Sequence, residues 1–180
     1  MKTFVMTLTY SRIFSGPIIF ILVVFFDQFF LSLVLFSLAS ITDFFDGYLA
    51  RKFSVESKLG KLLDPIADKI LLCSSLISIF LVTNDSFIGL MGMLLLLREF
   101  WIAGLREFSA KNNLTNFLDV SLTAKFKTAT QFTSIACFYF SFSVNSSLGL
   151  FLSSFILFIS LLLSIKSGIN YSVNIFSKLK

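Results

Sequence analysis

The stretch TDFFDGYLARKFSVESKLGKLLDPIADK, residues 42–69, places a dense group of charges between two apolar segments. It holds four aspartates, one arginine and four lysines. Asp43 and Asp46 are three residues apart, and Asp64 and Asp68 are four apart, so each pair projects from one face of a helix. The polar residues between the two pairs predict a turn that reverses the chain. The two acidic faces are therefore expected to meet.

Four carboxylates at membrane depth are costly when they are unpaired, and two interpretations relieve that cost. In the first, the acids hold divalent cations, because Mg²⁺ and Mn²⁺ prefer oxygen ligands. In the second, the acids form interfacial salt bridges with the neighbouring cations, which are Arg51, Lys58, Lys61 and Lys69.

Small residues lie on the acidic stripes. Gly47 and Ala50 follow Asp43 by four and seven residues, and Gly60 precedes Asp64 by four. Bare positions beside the acids would let a flat ligand and its phosphates lie against the backbone. Close helix packing also favours small residues, so this pattern alone favours neither explanation.

The rest of the chain predicts an all-α integral membrane protein with one domain, residues 1–180. Hydrophobic residues make up 56% of the sequence, whereas soluble domains hold about 45–50%. A membrane-spanning helix needs about 20 mostly apolar residues. We place six transmembrane helices at 10–26, 29–50, 60–82, 86–109, 118–142 and 147–166. The chain has no histidine, which excludes histidine triads and zinc–histidine sites.

The charges are distributed asymmetrically. All 15 Lys and Arg fall toward one end of the predicted spans, and the only acids at the other end are Asp27 and Asp85. The positive-inside rule makes the basic end cytoplasmic, with both termini there. We therefore expect the polar, charged part of the protein on the cytoplasmic side of the membrane. The net charge of +5 indicates topology and contact with an anionic lipid bilayer, and no nucleic-acid partner is expected.

Eight positions of the quoted stretch form the pattern D-x2-D-G-x2-A-R-x8-G-x3-D-x3-D. They are Asp43, Asp46, Gly47, Ala50, Arg51, Gly60, Asp64 and Asp68. This pattern resembles the signature of the CDP-alcohol phosphotransferase family. The resemblance implies a six-helix enzyme of the inner membrane, usually a homodimer, with its active site in a polar cavity on the cytoplasmic side. Such enzymes transfer a phosphatidyl or related group from a CDP-linked donor to an alcohol and release CMP.

The resemblance also implies roles for these residues. Asp43, Asp46 and Asp64 would hold one or two Mg²⁺ or Mn²⁺ ions at the donor pyrophosphate. Asp68 would act as general base or orient the attacking hydroxyl, a role that overlaps with metal ligation. Arg51 would pair with donor phosphate oxygens. The full set implied for donor binding is Thr9, Gly47, Ala50, Arg51 and Gly60.

Cations further along the chain point to the acceptor. Arg98 and Arg106 are eight residues apart and nearly in line on one helix face. Lys125 and Lys127 are two residues apart and would point about 200° away from each other on an ideal helix. Their long side chains or a local distortion of the helix must therefore bring the two ammonium groups together. An anionic acceptor such as glycerol phosphate would explain these cations. The alternative is positive-inside anchoring with ion pairing between Arg98 and Glu99.

The motif R-E-x6-R-E followed by K-x-K-T-x2-Q is similar to bacterial phosphatidylglycerophosphate synthases, a branch of the same family. This similarity implies that Arg98, Arg106, Lys125 and Lys127 bind the phosphate of sn-glycerol 3-phosphate. The donor would be CDP-diacylglycerol, and the product would be phosphatidylglycerophosphate. One departure is that Val5 and Met6 stand where family members often have a Pro-Asn pair.

Three other hypotheses stay open at this point. The acceptor could be serine, inositol phosphate or phosphatidylglycerol. A small cation transporter would also use aspartates, but it predicts acids spread through the bilayer, whereas these cluster at one end of the spans. A membrane scaffold without catalysis would not need small residues beside the acids.

Overall fold

The computed structural model describes residues 2–52, 58–112 and 122–177, and these residues form six α-helices with no strand among them. Within these ranges, the side chains of residues 2–6, 43–52, 58, 61 and 122–125 lie outside the description. The predicted all-α class is confirmed. The helices are α1 Lys2–Phe26, α2 Phe29–Lys52, α3 Lys58–Thr83, α4 Ser86–Lys111, α5 Leu122–Ser143 and α6 Ser147–Phe176.

Several helices have the length and apolar character of membrane spans. Among the described residues, four segments meet both requirements: Thr7–Phe26, Leu62–Thr83, Ser86–Lys111 and Ser147–Phe176. The apolar part of α2 is shorter and covers Phe29–Thr42. Large apolar side chains such as Phe14 and Phe151 lie about two-thirds exposed on the outer surface, where lipid would cover them. For α2 and α5, membrane crossing stays a prediction.

Tight turns join consecutive helices at one end of the bundle. One residue in each turn adopts a left-handed backbone conformation, which Asp and Asn tolerate better than most residues. Asp85 caps α4 by accepting a hydrogen bond from the Phe87 N–H at 2.8 Å, and Ser146 caps α6 through the Gly149 N–H at 3.1 Å. These local contacts reverse the chain within a few residues. The left-handed residues are Asp27 (φ 52°), Asn84 (φ 49°) and Asn145 (φ 50°).

Aromatic residues join α2, α3 and α5 in the middle of the bundle. Phe36 of α2 is buried against Phe132 and Tyr139 of α5, with ring centroids 5.4 Å and 6.0 Å apart. The hydroxyl groups of Tyr139 and Ser78 of α3 share a hydrogen bond of 3.1 Å. The core therefore lies at mid-depth, and the acidic start of α3 lies toward one end of it.

The first helix packs closely on α3 at Gly16. A Cβ at this position would lie 3.0 Å from Ile70 Cγ2, 3.1 Å from the Ile70 carbonyl oxygen and 3.1 Å from Ser74 Oγ. The backbone carbonyl cannot move as a side chain can. The bare Gly16 therefore sets how closely α1 approaches α3.

Replacing Gly16 with Ala is expected to destabilise the protein by about 1–3 kcal/mol, because the added methyl group overpacks this contact. The measurement is the midpoint of thermal unfolding in detergent. The matched control is Gly104→Ala in α4, where a Cβ would meet nothing within 4 Å. That change should be neutral, or stabilising by up to about 1 kcal/mol. Equal midpoints for the two variants would contradict the packing argument.

The last helix continues past its predicted span. The hydropathy pattern placed the end of that span at residue 166, but α6 is helical to Phe176. Trp101 of α4 donates a hydrogen bond from Nε1 to Ser172 Oγ at 3.0 Å. Ile102 and Leu105 of α4 pack with Ile175 in a small apolar cluster. We call residues 167–176 the α6 extension, and its packing on α4 explains why this polar sequence stays helical.

Candidate active site

Two contacts from α1 reach the acidic face of α3. Thr9 donates a hydrogen bond from Oγ1 to Asp64 Oδ1 at 2.9 Å. Arg12 donates from Nη1 to Asp68 Oδ1 at 3.5 Å. Residue numbers rise together along both helices, so α1 and α3 run parallel. The pair of carboxylates is therefore oriented from one neighbouring helix.

Arg12 belongs to this site although the sequence motifs assigned it no role. Its side chain is fully buried, whereas the Asp68 side chain is 45% exposed. A buried guanidinium needs a partner, and Asp68 supplies one while keeping much of its own surface accessible. The signal in the sequence was the spacing of Thr9 and Arg12, three residues apart on one helix face.

The α2 half of the predicted acidic cluster is described only by its backbone. Asp43 and Asp46 lie on α2, which is helical to Lys52. Their side chains lie outside the described part of the structure, as do those of Ala50 and Arg51 and the surroundings of Gly47. On α3, Gly60 lies near the start of the helix and is half-buried. The predicted polar cavity between α2 and α3 therefore stays a prediction.

One cation of the salt-bridge interpretation contacts a different partner. Lys69 Nζ lies 5.8 Å from the centroid of the Phe100 ring on α4. This is within the range of a cation–π interaction. Lys69 follows Asp68 and Phe100 follows Glu99, so the contact places these acids at the same level along α3 and α4. Consecutive helix residues point about 100° apart, and the acidic face of α3 itself contacts α1.

Glu99 joins two of the predicted acceptor-binding cations. Its Oε1 accepts a hydrogen bond from Arg98 Nη1 at 3.1 Å and another from Lys127 Nζ. Lys127 is buried, with 6% of its surface exposed. The structure thus brings Arg98 and Lys127 together on one carboxylate, and the ion pair between Arg98 and Glu99 is present as the alternative explanation expected. Lys125 lies on α5, but its side chain is outside the described part.

Both arginines of α4 also contact α6. Arg98 donates from Nε to the Ser164 carbonyl oxygen at 2.9 Å and from Nη2 to Ser167 Oγ at 2.6 Å. The Cζ atom of Arg106 lies 5.9 Å from the centroid of the Tyr171 ring. The roles of Ser164, Ser167 and Tyr171 could not be predicted from the sequence, because a serine or tyrosine in an apolar helix has no distinctive spacing.

The site can therefore be described as two charged clusters on adjacent helices. The acidic cluster presents carboxylate oxygens from α3, with Thr9 and Arg12 of α1 holding them in place. The basic cluster presents guanidinium and ammonium groups from α4 and α5, with Glu99 and α6 holding them. Carboxylates suit hard divalent cations, and guanidinium groups suit phosphate. The described residues therefore offer carboxylate oxygens on α3 and cationic groups on α4 and α5.

Comparison with known proteins places the chain in a family. The family described as CDP-alcohol phosphatidyltransferase matches residues 3–166. The chain is similar to proteins named CDP-diacylglycerol–glycerol-3-phosphate 3-phosphatidyltransferase from several bacteria. It is 36% identical to the one from Wigglesworthia glossinidia brevipalpis over 163 residues, covering 86% of this chain and 88% of that protein. It is 37% identical to the one from Rickettsia typhi over 174 residues, covering 95% and 96%.

A protein of the same name from Cereibacter sphaeroides is 41% identical over 142 residues, covering 73% of this chain and 61% of that protein. The region matched by the family contains both charged clusters. The chain therefore belongs to the CDP-alcohol phosphatidyltransferase family.

Proposed function

We propose that the protein transfers the phosphatidyl group of CDP-diacylglycerol to sn-glycerol 3-phosphate, giving phosphatidylglycerophosphate and CMP. The observation that carries this proposal is the basic cluster, in which Arg98 and buried Lys127 converge on Glu99. A neutral acceptor would not need these cationic side chains. The names of the relatives, which are 36–41% identical to this chain, agree with that acceptor.

The acidic cluster would hold one or two Mg²⁺ or Mn²⁺ ions. Asp64 and Asp68 are four residues apart on α3 and both are partly exposed, which supports this site. Among the described residues no three possible ligand side chains gather, so the site depends on α2 as well. Asp43 and Asp46 on α2 would complete the ligand set. When bound, the metal neutralises negative charge on the donor pyrophosphate and on the departing CMP. Thr9 and Arg12 contribute by fixing the carboxylates of Asp64 and Asp68 before substrate arrives.

Asp68 accepts the proton in the chemical step. The acceptor hydroxyl oxygen attacks the phosphorus that carries the diacylglycerol, and the phosphoanhydride bond to CMP breaks. A general base must lie within hydrogen-bond reach of the proton it removes. The exposed part of Asp68 allows this approach, while Arg12 holds Oδ1 from the buried side. The remaining catalysis is positioning and electrostatics.

The other site residues bind the two substrates. Arg51 pairs with donor phosphate oxygens, and Gly47, Ala50 and Gly60 leave room for the nucleotide. Thr9 acts through Asp64, to which its hydroxyl donates. The phosphate of the acceptor binds to the cations of α4 and α5, which are Arg98, Arg106, Lys125 and Lys127.

The same proposal sets the orientation in the membrane. Six helices cross the bacterial inner membrane, both termini lie in the cytoplasm and two copies form a homodimer. The tight turns at the far end contain no Lys or Arg, and Arg12, Lys69, Arg98, Arg106 and Lys127 all lie away from them. This asymmetry supports the positive-inside orientation.

The test is a CMP-release assay with purified protein, CDP-diacylglycerol and Mg²⁺ or Mn²⁺. Release is expected only when glycerol 3-phosphate is present. Chelation of the metal should abolish release, and added metal should restore it. Labelled donor with a panel of serine, inositol phosphate and phosphatidylglycerol tests the alternative acceptors. A labelled product with one of these, and none with glycerol 3-phosphate, would overturn the proposed acceptor.

A further inference from the structure

The α6 extension contacts residues that are proposed to bind the acceptor. The family match ends at residue 166, whereas α6 continues to Phe176. The extension nevertheless contacts both arginines of α4 through Ser167, Gly168 and Tyr171. Residues of the extension therefore touch both arginines that are proposed to bind substrate.

Arg98 is held by α6 along one edge of its guanidinium group. Nε and Nη2 form that edge, and they donate to the Ser164 carbonyl oxygen at 2.9 Å and to Ser167 Oγ at 2.6 Å. Glu99 accepts from Nη1. Each terminal nitrogen carries a second N–H. These contacts use one N–H of each nitrogen, so among the described residues one N–H on Nη1 and one on Nη2 stay available to donate to a phosphate.

Gly168 makes room for this arrangement. A Cβ at this position would lie 3.2 Å from Arg98 Nε and 3.4 Å from Arg98 Cγ. The first distance is tight enough that the arginine would have to move. The bare backbone of Gly168 and the hydroxyl of Ser167 therefore define one position for the guanidinium group.

Tyr171 supports the second arginine through its ring. The Arg106 Cζ atom lies 5.9 Å from the ring centroid, within cation–π range. The hydroxyl group of Tyr171 is buried and makes no hydrogen bond to any residue that the structure describes. The ring, not the hydroxyl, is the part that contacts Arg106.

We infer that the α6 extension positions Arg98 and Arg106 for the phosphate group of the acceptor, and so sets the preference for a phosphorylated alcohol. The inference rests on the proposed function in one respect, which is that the acceptor carries a phosphate. Ser167, Gly168 and Tyr171 are positioning residues, since they act through the two arginines. This places acceptor selectivity partly in the last ten residues of α6.

The experiment measures KM for glycerol 3-phosphate in the purified full chain at saturating CDP-diacylglycerol. Ser167→Ala is expected to raise that KM about tenfold, through loss of a hydrogen bond to a charged group. Tyr171→Leu is expected to raise it about two- to fivefold, through loss of the cation–π contact. For both variants, kcat and the KM for CDP-diacylglycerol should stay within about twofold, because the lost contacts act on acceptor binding.

Matched variants separate positioning from general damage to the helix. Ser167→Thr keeps the hydroxyl and Tyr171→Phe keeps the ring, so both should retain a KM close to that of the unaltered protein. Asn170→Ala changes an exposed residue of the same extension and should have no effect. Equal loss in Tyr171→Phe and Tyr171→Leu would overturn the inference, as would a rise in donor KM equal to that for the acceptor.

The outcomes also distinguish this inference from the proposed function. If the unaltered protein makes no product with glycerol 3-phosphate, the proposed function fails. If it makes that product and Ser167→Ala and Tyr171→Leu keep the same acceptor KM, the inference about the α6 extension fails and the proposed function stands.

Discussion

Asp68→Asn is expected to lower kcat for CMP release by at least about 10²–10⁴-fold, the usual contribution of a general base. Asparagine is close to aspartate in shape but cannot take the proton from the acceptor hydroxyl. It is also a weaker ligand for a divalent cation, so both proposed roles of Asp68 are lost together. The measurement is CMP release with both substrates, alongside the midpoint of thermal unfolding.

The control is Asp85→Asn, which makes the same substitution at the opposite end of the bundle. Asp85 caps α4 through a side-chain oxygen, and asparagine is an equally good capping residue. Its turnover should match that of the unaltered protein. Substantial turnover by Asp68→Asn with an unchanged unfolding midpoint would remove Asp68 from the role of base.

Arg98→Lys is expected to lower kcat/KM for glycerol 3-phosphate by about 100-fold, because lysine keeps the charge but loses the planar fork. Arg98 reaches the Ser164 carbonyl oxygen, Ser167 Oγ and Glu99 at once. An ammonium group cannot span these three acceptors and also bind a phosphate. The KM for CDP-diacylglycerol should change little, and an acceptor titration at saturating donor measures the difference.

Arg106→Lys is the matched control for that prediction. The Arg106 guanidinium lies over the Tyr171 ring, a contact that a lysine ammonium can also make. The loss should therefore be severalfold at most. Equal losses in the two variants would mean that charge alone matters, and that the geometry around Arg98 has no part in acceptor binding.

The helices could be predicted because each depends on a continuous apolar run. The predicted spans 29–50 and 86–109 begin at the same residues as α2 and α4 and end two residues before them. Both helices begin directly after a turn, where an apolar run starts. The end of α6 could not be predicted in this way. Beyond residue 166 the sequence is rich in Ser and Asn, and its contacts with α4 help to stabilise it as a helix.

The candidate site was predictable where it depends on spacing within one helix. Asp64 and Asp68 were placed on one face because they are four residues apart. Arg12 was missed because its partner lies more than fifty residues away on a parallel helix, and a single sequence does not show which helices pack together. The alternative interpretation paired Glu99 with Arg98, but the contact of Glu99 with Lys127 depends on how α6 holds α4 and α5 near each other.

The tight turns at the far end of the bundle limit how this protein can be engineered. Each of them depends on a left-handed Asp or Asn, and two are followed by a side-chain cap on the next helix. These turns contain only the few residues needed to reverse the chain. An epitope or reporter inserted at Asp27, Asn84 or Asn145 would therefore have to replace the turn itself. Fusion partners and reporter tags are therefore better attached at the opposite face of the molecule.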